Sequence, residues 1–95
     1  MSYNLQFHKL ALKEWRKLDS TIQEQFKKKL KERLENPHVP VSALSGMPDC
    51  YKIKLRQAGY RLVYKVKDDI LFVIVLSIGK RERSIAYKNA QDRSN

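Results

Sequence analysis

The chain has 95 residues, 42% apolar and 9% aromatic, which suffices for one small globular fold and argues against disorder. Twenty Lys and Arg against ten Asp and Glu give a net charge of +10 and a pI near 9.9. Self-repulsion of that size opposes compaction and points to a polyanionic partner, nucleic acid or an acidic protein.

The single cysteine, Cys50, excludes an internal disulfide, and with only His8 and His38 beside it there is no zinc-site spacing. The first eight residues carry no apolar signal region. The longest apolar run, Ile70 to Leu76, is far short of the roughly 18–20 residues that span a bilayer. No membrane association is expected, and a cytoplasmic location is the default.

In chain order, Tyr3, Leu5 and Phe7 alternate with Asn4 and Gln6, which predicts a short strand. Ala11, Leu12, Trp15 and Leu18 recur at helical spacing. Ser20 followed by Gln23 fits a capping box opening a second helix, whose stripe is Ile22, Phe26, Leu30 and Leu34 and which Asn36-Pro37 ends. Pro37, Pro40, Gly46 and Pro48 mark an irregular connection. Cys50 to Leu55 alternates, Arg56 to Gly59 is a turn, and Tyr60 to Lys67 alternates again. Asp68-Asp69 reads as a two-residue turn into Ile70–Ile78, apolar on both faces and so a central strand. A short helix from Ser84 to Ala90 follows, then a frayed polar tail. The expectation is one α+β domain over residues 1–95. Its order is β-α-α-β-β-β-α: a mostly antiparallel four-stranded sheet with an N-terminal α-hairpin and a short C-terminal helix.

Charge placement on that sheet carries the functional argument. The four-residue turn pairs Leu55 with Tyr60 and therefore Lys54 with Arg61, with Lys52 facing Val63 on the same side. Like charges directly opposite destabilise a sheet by roughly 0.2–1 kcal/mol. A solvated basic face is the bland reading. A cationic floor for phosphates is the sharper one, preferred because the opposite face already supplies a core. If the next turn has two residues, Arg61 lies across from Leu76, and Arg81, just past the strand, comes within reach of the cluster. Tyr87 follows one and a half helical turns later. Lys27, Lys28, Lys29, Lys31 and Arg33 on the second helix, with Lys80 and Arg83 near the chain's end, are expected to contact RNA phosphates without base readout.

His8 and His38 fall at a strand–helix junction and in a Pro-flanked loop, and Glu14 and Glu32 look like surface ion-pair partners, so a His-pair nuclease is poorly supported. Lysine can serve as the base, because clustered cations lower its pKa. RNA brings its own nucleophile, the 2′-OH. The protein need only deprotonate it, stabilise the phosphorane and protonate the leaving 5′ oxygen.

The segments LALKEWRKL (Leu10 to Leu18), GMPDCYKIKLR (Gly46 to Arg56), GYRLVY (Gly59 to Tyr64) and GKRER (Gly79 to Arg83) resemble the RelE toxin family of type II toxin–antitoxin modules. The resemblance runs from Leu5 to Tyr87. It implies a metal-independent, cofactor-free mRNA interferase that enters the 70S ribosomal A site, beside 16S rRNA, and cuts the mRNA codon there. It also implies a RelB-type antitoxin, and repression of the operon through operator DNA bound only by the toxin–antitoxin complex. Position by position, Lys52 would be the general base and Lys54 and Arg61 would hold the scissile phosphate. Arg81 would stabilise its charge and act as, or position, the acid, and Tyr87 would stack on a base. The products would be a 2′,3′-cyclic phosphate and a 5′-hydroxyl. Where this family often has arginine before the glycine of GMPD, this chain has Ser45, which removes a secondary RNA contact. The alternatives are a noncatalytic basic RNA- or DNA-binding module and, less well matched, a ribosome-independent nuclease with a Glu/His pair.

Overall fold

The computed structural model describes residues 2–80 and 85–94. Its elements are β1 (Asn4–Phe7), α1 (Lys9–Arg16), α2 (Ser20–Glu35), a 3-10 turn (Pro40–Ser42), β2 (Cys50–Leu55), β3 (Tyr60–Lys67), β4 (Phe72–Lys80) and α3 (Ile85–Arg93). The α+β class and element order are as the sequence predicts. The sheet runs β1-β4-β3-β2, with β1 parallel to β4 and the other pairs antiparallel, so it is mixed.

Local chemistry sets the helix starts. His8 Nδ1 accepts from the Leu10 amide at 3.2 Å and caps α1, a structural role for that histidine. The cap of α2 is Asp19, whose carboxylate accepts from the Ile22 amide at 3.0 Å; the predicted Ser20–Gln23 box does not form. A carboxylate one residue earlier is the stronger acceptor beside the helix's positive end. Gln23 instead donates to the Trp15 carbonyl at 2.9 Å and ties the two helices together.

One sheet face and the α-hairpin enclose the main core. Phe26 and Leu30 from α2 and Ala11 from α1 pack on Ile53, Leu62, Tyr64, Val73 and Val75. Tyr64 is fully buried, and its hydroxyl donates to the Pro37 carbonyl at 2.7 Å, which fixes the loop after α2. The opposite face is not bare. Its β4 end carries α3, whose Ala86 and Ala90 let the helix approach closely; Ala90 packs with Cys50, Val63 and Leu76 in a second, smaller apolar cluster. The buried Ser77 hydroxyl donates to the Ala86 carbonyl. That coverage makes β4 apolar on both sides.

The β3–β4 register differs from the expectation. The turn has four residues, 68–71, with Leu71 in the left-handed region at φ 56° and Ile70 53% exposed. A bulge follows opposite Val63/Tyr64. Together they place Arg61 across from Gly79, not Leu76. The predicted frayed tail is also corrected, since α3 continues to Arg93. The Arg93 guanidinium grips Glu14 of α1 with two bonds of 2.9 and 3.0 Å and also donates to the Leu76 carbonyl.

The β2–β3 turn depends on Gly59 at φ 73°, where its amide donates to the Leu55 carbonyl at 2.8 Å. Space around it is open, so an added methyl meets only backbone strain. Gly59→Ala is expected to cost about 1–2 kcal/mol, read as a lower urea midpoint with unchanged slope.

Candidate nucleic-acid interface and active site

The turn that Gly59 permits fixes the site. Lys54 pairs with Arg61 and Lys52 with Val63, so the three cations share one face, as the sequence predicts. All three are half-buried. They occupy the β2 side of that face, beyond the cover of α3. Gly79, opposite Arg61, has no side chain, and Ala86 of α3 lies 3.6 Å from where its Cβ would be. Among the described residues, no carboxylate makes an ion pair with Lys52, Lys54 or Arg61.

Tyr87 projects from α3 onto the same face and packs on the small cluster containing Val63, the neighbour of Lys52. It is only half-buried. With Leu44, Ser45, Met47 and Gln91 it lines an open groove of about 530 Å³. Packing residue and groove wall are thus combined in one ring. Arg81, expected beside this cluster, and Arg83 lie outside the described residues.

The other predicted RNA contacts divide. Lys28, Lys31 and Lys80 are exposed, and Lys27 pairs loosely with Glu24 at 3.3 Å. Arg33 is not on the solvated face. Its guanidinium turns to the sheet edge, donating to the Lys52 carbonyl at 3.2 Å, the Tyr64 hydroxyl at 2.8 Å and Ser42 Oγ at 3.3 Å. Among the described residues, no three His, Cys, Asp or Glu side chains converge as metal ligands, and no helix is long and apolar enough to cross a membrane.

Comparison with known proteins gives a consistent result. The family model of the ParE toxin of type II toxin–antitoxin systems matches residues 5–85. The mRNA interferase toxin RelE of Escherichia coli K12 is 60% identical over 93 residues, covering 98% of each chain. A doubly substituted E. coli toxin RelE in its free state superposes with a TM-score of 0.91 at 58% identity, over 98% of both chains. A chain of the intact E. coli RelBE toxin–antitoxin complex gives 0.83 at 61% identity, covering 86% of this chain and 100% of that one. The chain belongs to the RelE family.

In this RelE-family site the electrostatics are strained by design of the register. The charge of Lys52, then lost hydration, then Arg61 and Arg56, hold the Lys54 amine below the ordinary lysine range. The folded chain therefore releases that proton at lower pH than the unfolded chain. Its penalty is full at neutral pH and fades as pH rises through the ordinary lysine range. Lys54→Met is expected to raise the melting temperature at neutral pH and low salt, with the gain shrinking as salt is added. A lowered or salt-independent melting temperature would count against this electrostatic account.

Sequence reasoning missed three features of this RelE-family site. Arg33 follows Phe26 and Leu30 at i+7 and i+3, a spacing that puts it at the apolar margin and could have flagged it. Arg56 flanks Lys54, but the turn hid it; Lys29, expected as a general RNA contact, also lies beside Lys54, a placement its run of lysines did not reveal. The groove at Tyr87 had no sequence signal, because it joins segments some forty residues apart.

Proposed function

We propose that this RelE-family toxin is an mRNA interferase that cuts the A-site codon on the ribosome without a metal ion. The observation that carries the reading is the Lys52–Lys54–Arg61 set: three like charges in one sheet register, with no described carboxylate partner. A fold selected for stability alone would not keep Lys54 opposite Arg61.

The chemistry follows from what these groups can do. Lys52, assigned the base role by family resemblance, takes the 2′-OH proton. The 2′ oxygen attacks phosphorus, and Lys54 and Arg61 neutralise the charge that develops on the phosphorane. The P–O5′ bond breaks and O5′ takes up a proton, with Arg81 assigned by family resemblance to supply or position it. No water is consumed, so the products are a 2′,3′-cyclic phosphate and a 5′-hydroxyl. Tyr87 offers its exposed face to a base of the codon. Lys27, Lys28, Lys31 and Lys80 supply salt-dependent affinity for the RNA backbone of the ribosome; Arg83 joins them by sequence. A RelB-type antitoxin is the neutralising partner, operator DNA is reached only through that complex, and the cytoplasm is where both operate.

The test replaces the 2′-OH at the cut site of a ribosome-bound mRNA by hydrogen. Cleavage is expected to stop there and to leave a cyclic phosphate on the unmodified message. A cut that persists, or one that leaves a 5′-phosphate, would mean that water is the nucleophile and would overturn the mechanism.

A further inference from the structure

The sheet ends at β2, whose outer edge is bridged at its start, where Ala43 pairs with Tyr51 and the Leu44 amide donates to the Cys50 carbonyl at 3.0 Å; from Lys52 onward it has no strand partner among the described residues. An open edge normally exposes backbone donors and acceptors to water. Here Arg33 caps the Lys52 carbonyl, and beside it a hollow of about 340 Å³ lies between α2 and the edge, walled by Lys29, Arg33, Ser42, Lys52, Lys54 and Arg56. A second hollow of about 330 Å³ shares Lys29, Lys54 and Arg56 and runs on to Gln25 and Gln57 at the β2–β3 turn. Among the described residues, no Asp or Glu lines either one.

We infer that this trough along the β2 edge is a second phosphodiester-binding subsite, which takes the RNA backbone where it leaves the Lys52–Lys54–Arg61 floor. The inference rests on reading that floor as the RNA site; it adds Arg56 as a contact and gives Lys29, otherwise a general backbone contact, a defined place beside it.

Three observations support it. Lys52 and Lys54 border both the floor and the trough, so a strand lying on the floor meets the trough without a gap. Arg33 is half-buried, yet its three hydrogen-bond partners among the described residues are neutral: a carbonyl and two hydroxyls. A guanidinium has five N–H donors, so it retains donors for an anion while its own position is fixed. Finally, Lys29 and Arg56 are exposed and, among the described residues, form no ion pair. A purely solvated face would be expected to intersperse carboxylates, as Glu24 does for Lys27 on the same helix.

The backbone that occupies the trough belongs to mRNA or to ribosomal RNA, and the test separates them. Wild type is compared with Lys29→Gln/Arg56→Gln and with a control, Lys13→Gln/Lys17→Gln. The control removes the same charge from exposed positions at α1, which packs against β4 away from the β2 edge. One arm measures affinity for a short single-stranded 2′-O-methyl RNA against salt. The other measures half-saturation of single-turnover cleavage on programmed ribosomes against salt. Each lost phosphate contact lowers the log–log salt slope by about 0.7. A slope reduced by about 0.7–1.4 in both arms, and restored by Lys29→Arg/Arg56→Lys, assigns the trough to mRNA. Reduction on ribosomes alone assigns it to ribosomal RNA. Slopes equal to the control's in both arms overturn the subsite. Failure of wild type to cut programmed ribosomes would overturn the nuclease reading instead, and a slope change with free RNA would still establish the subsite.

Discussion

Lys52→Ala is expected to lower single-turnover cleavage on programmed ribosomes by roughly 10²–10⁴-fold, the usual contribution of a positioned general base. Stability should not fall with it. Lys52 is half-buried at an edge strand and bears like charge toward Lys54, so its removal relieves repulsion. Arg61→Ala is expected to cost about 10²–10³-fold, since it removes charge stabilisation at the phosphorane and not the proton acceptor. The two variants separate by pH. A group that works by accepting a proton makes the rate climb with pH, so with wild type and Arg61→Ala cleavage should be faster at pH 9 than at pH 6. With Lys52→Ala that climb should be lost, and Lys54, freed of its main charge neighbour, returns toward the ordinary lysine range. A pH-independent rate for wild type from pH 6 to 9, at saturating ribosomes, would remove lysine from the base role.

The second large effect belongs to the far end of the chain. Arg93→Ala is expected to destabilise the protein by about 2–4 kcal/mol, in the range for breaking a largely buried pair. The Arg93 side chain is only 12% exposed and Glu14 only 25%. Glu14 Oε1 also accepts from the Ile78 amide at 3.0 Å, so the pair closes the end of β4 as well as holding α3. Losing the guanidinium strands a carboxylate and leaves the Leu76 carbonyl without its 2.8 Å donor. A fall in melting temperature on the order of 10 °C follows for a chain of this size. Because Tyr87 is carried by α3, half-saturation of cleavage should weaken at temperatures where the variant is still folded. Arg93→Lys keeps the charge but not the two-pronged grip and should recover only part of the loss. A change below about 0.5 kcal/mol would mean that packing of Ala86 and Ala90 alone holds the helix.

How far the sequence reached depended on whether each turn announced itself. Arg56 to Gly59 is polar and ends in glycine, so the β2–β3 register, and with it the Lys52–Lys54–Arg61 face, was readable. The next turn was not, because Ile70 and Leu71 are apolar and merge with the strand they precede. Leu71 adopts a left-handed conformation that its identity does not advertise, and the bulge has no residue signature. A two-residue turn therefore puts Arg61 across from Leu76, three residues from its actual partner Gly79.

The C-terminal error has another cause. Lys88 to Asn95 is polar and weakly amphipathic, and only a partner 79 residues away, Glu14, makes Arg93 the end of an ordered helix. Glu14 itself read as a surface residue for the same reason. Arg33 is intermediate: helical spacing locates it at the apolar margin, but its capping of the β2 edge requires knowing that β2 is an edge. The four-strand order was not derivable from alternation, since the parallel β1–β4 pairing depends on how the α-hairpin returns the chain.

The most direct test of the account is cleavage mapping on a defined mRNA, with and without programmed ribosomes, for wild type and Lys52→Ala. The account predicts cuts confined to the A-site codon, present only with ribosomes and reduced at least a hundredfold in the variant. Cuts by the variant at the wild-type rate, or no cuts by wild type on programmed ribosomes despite tight RNA binding, would contradict it and leave a binding module in its place.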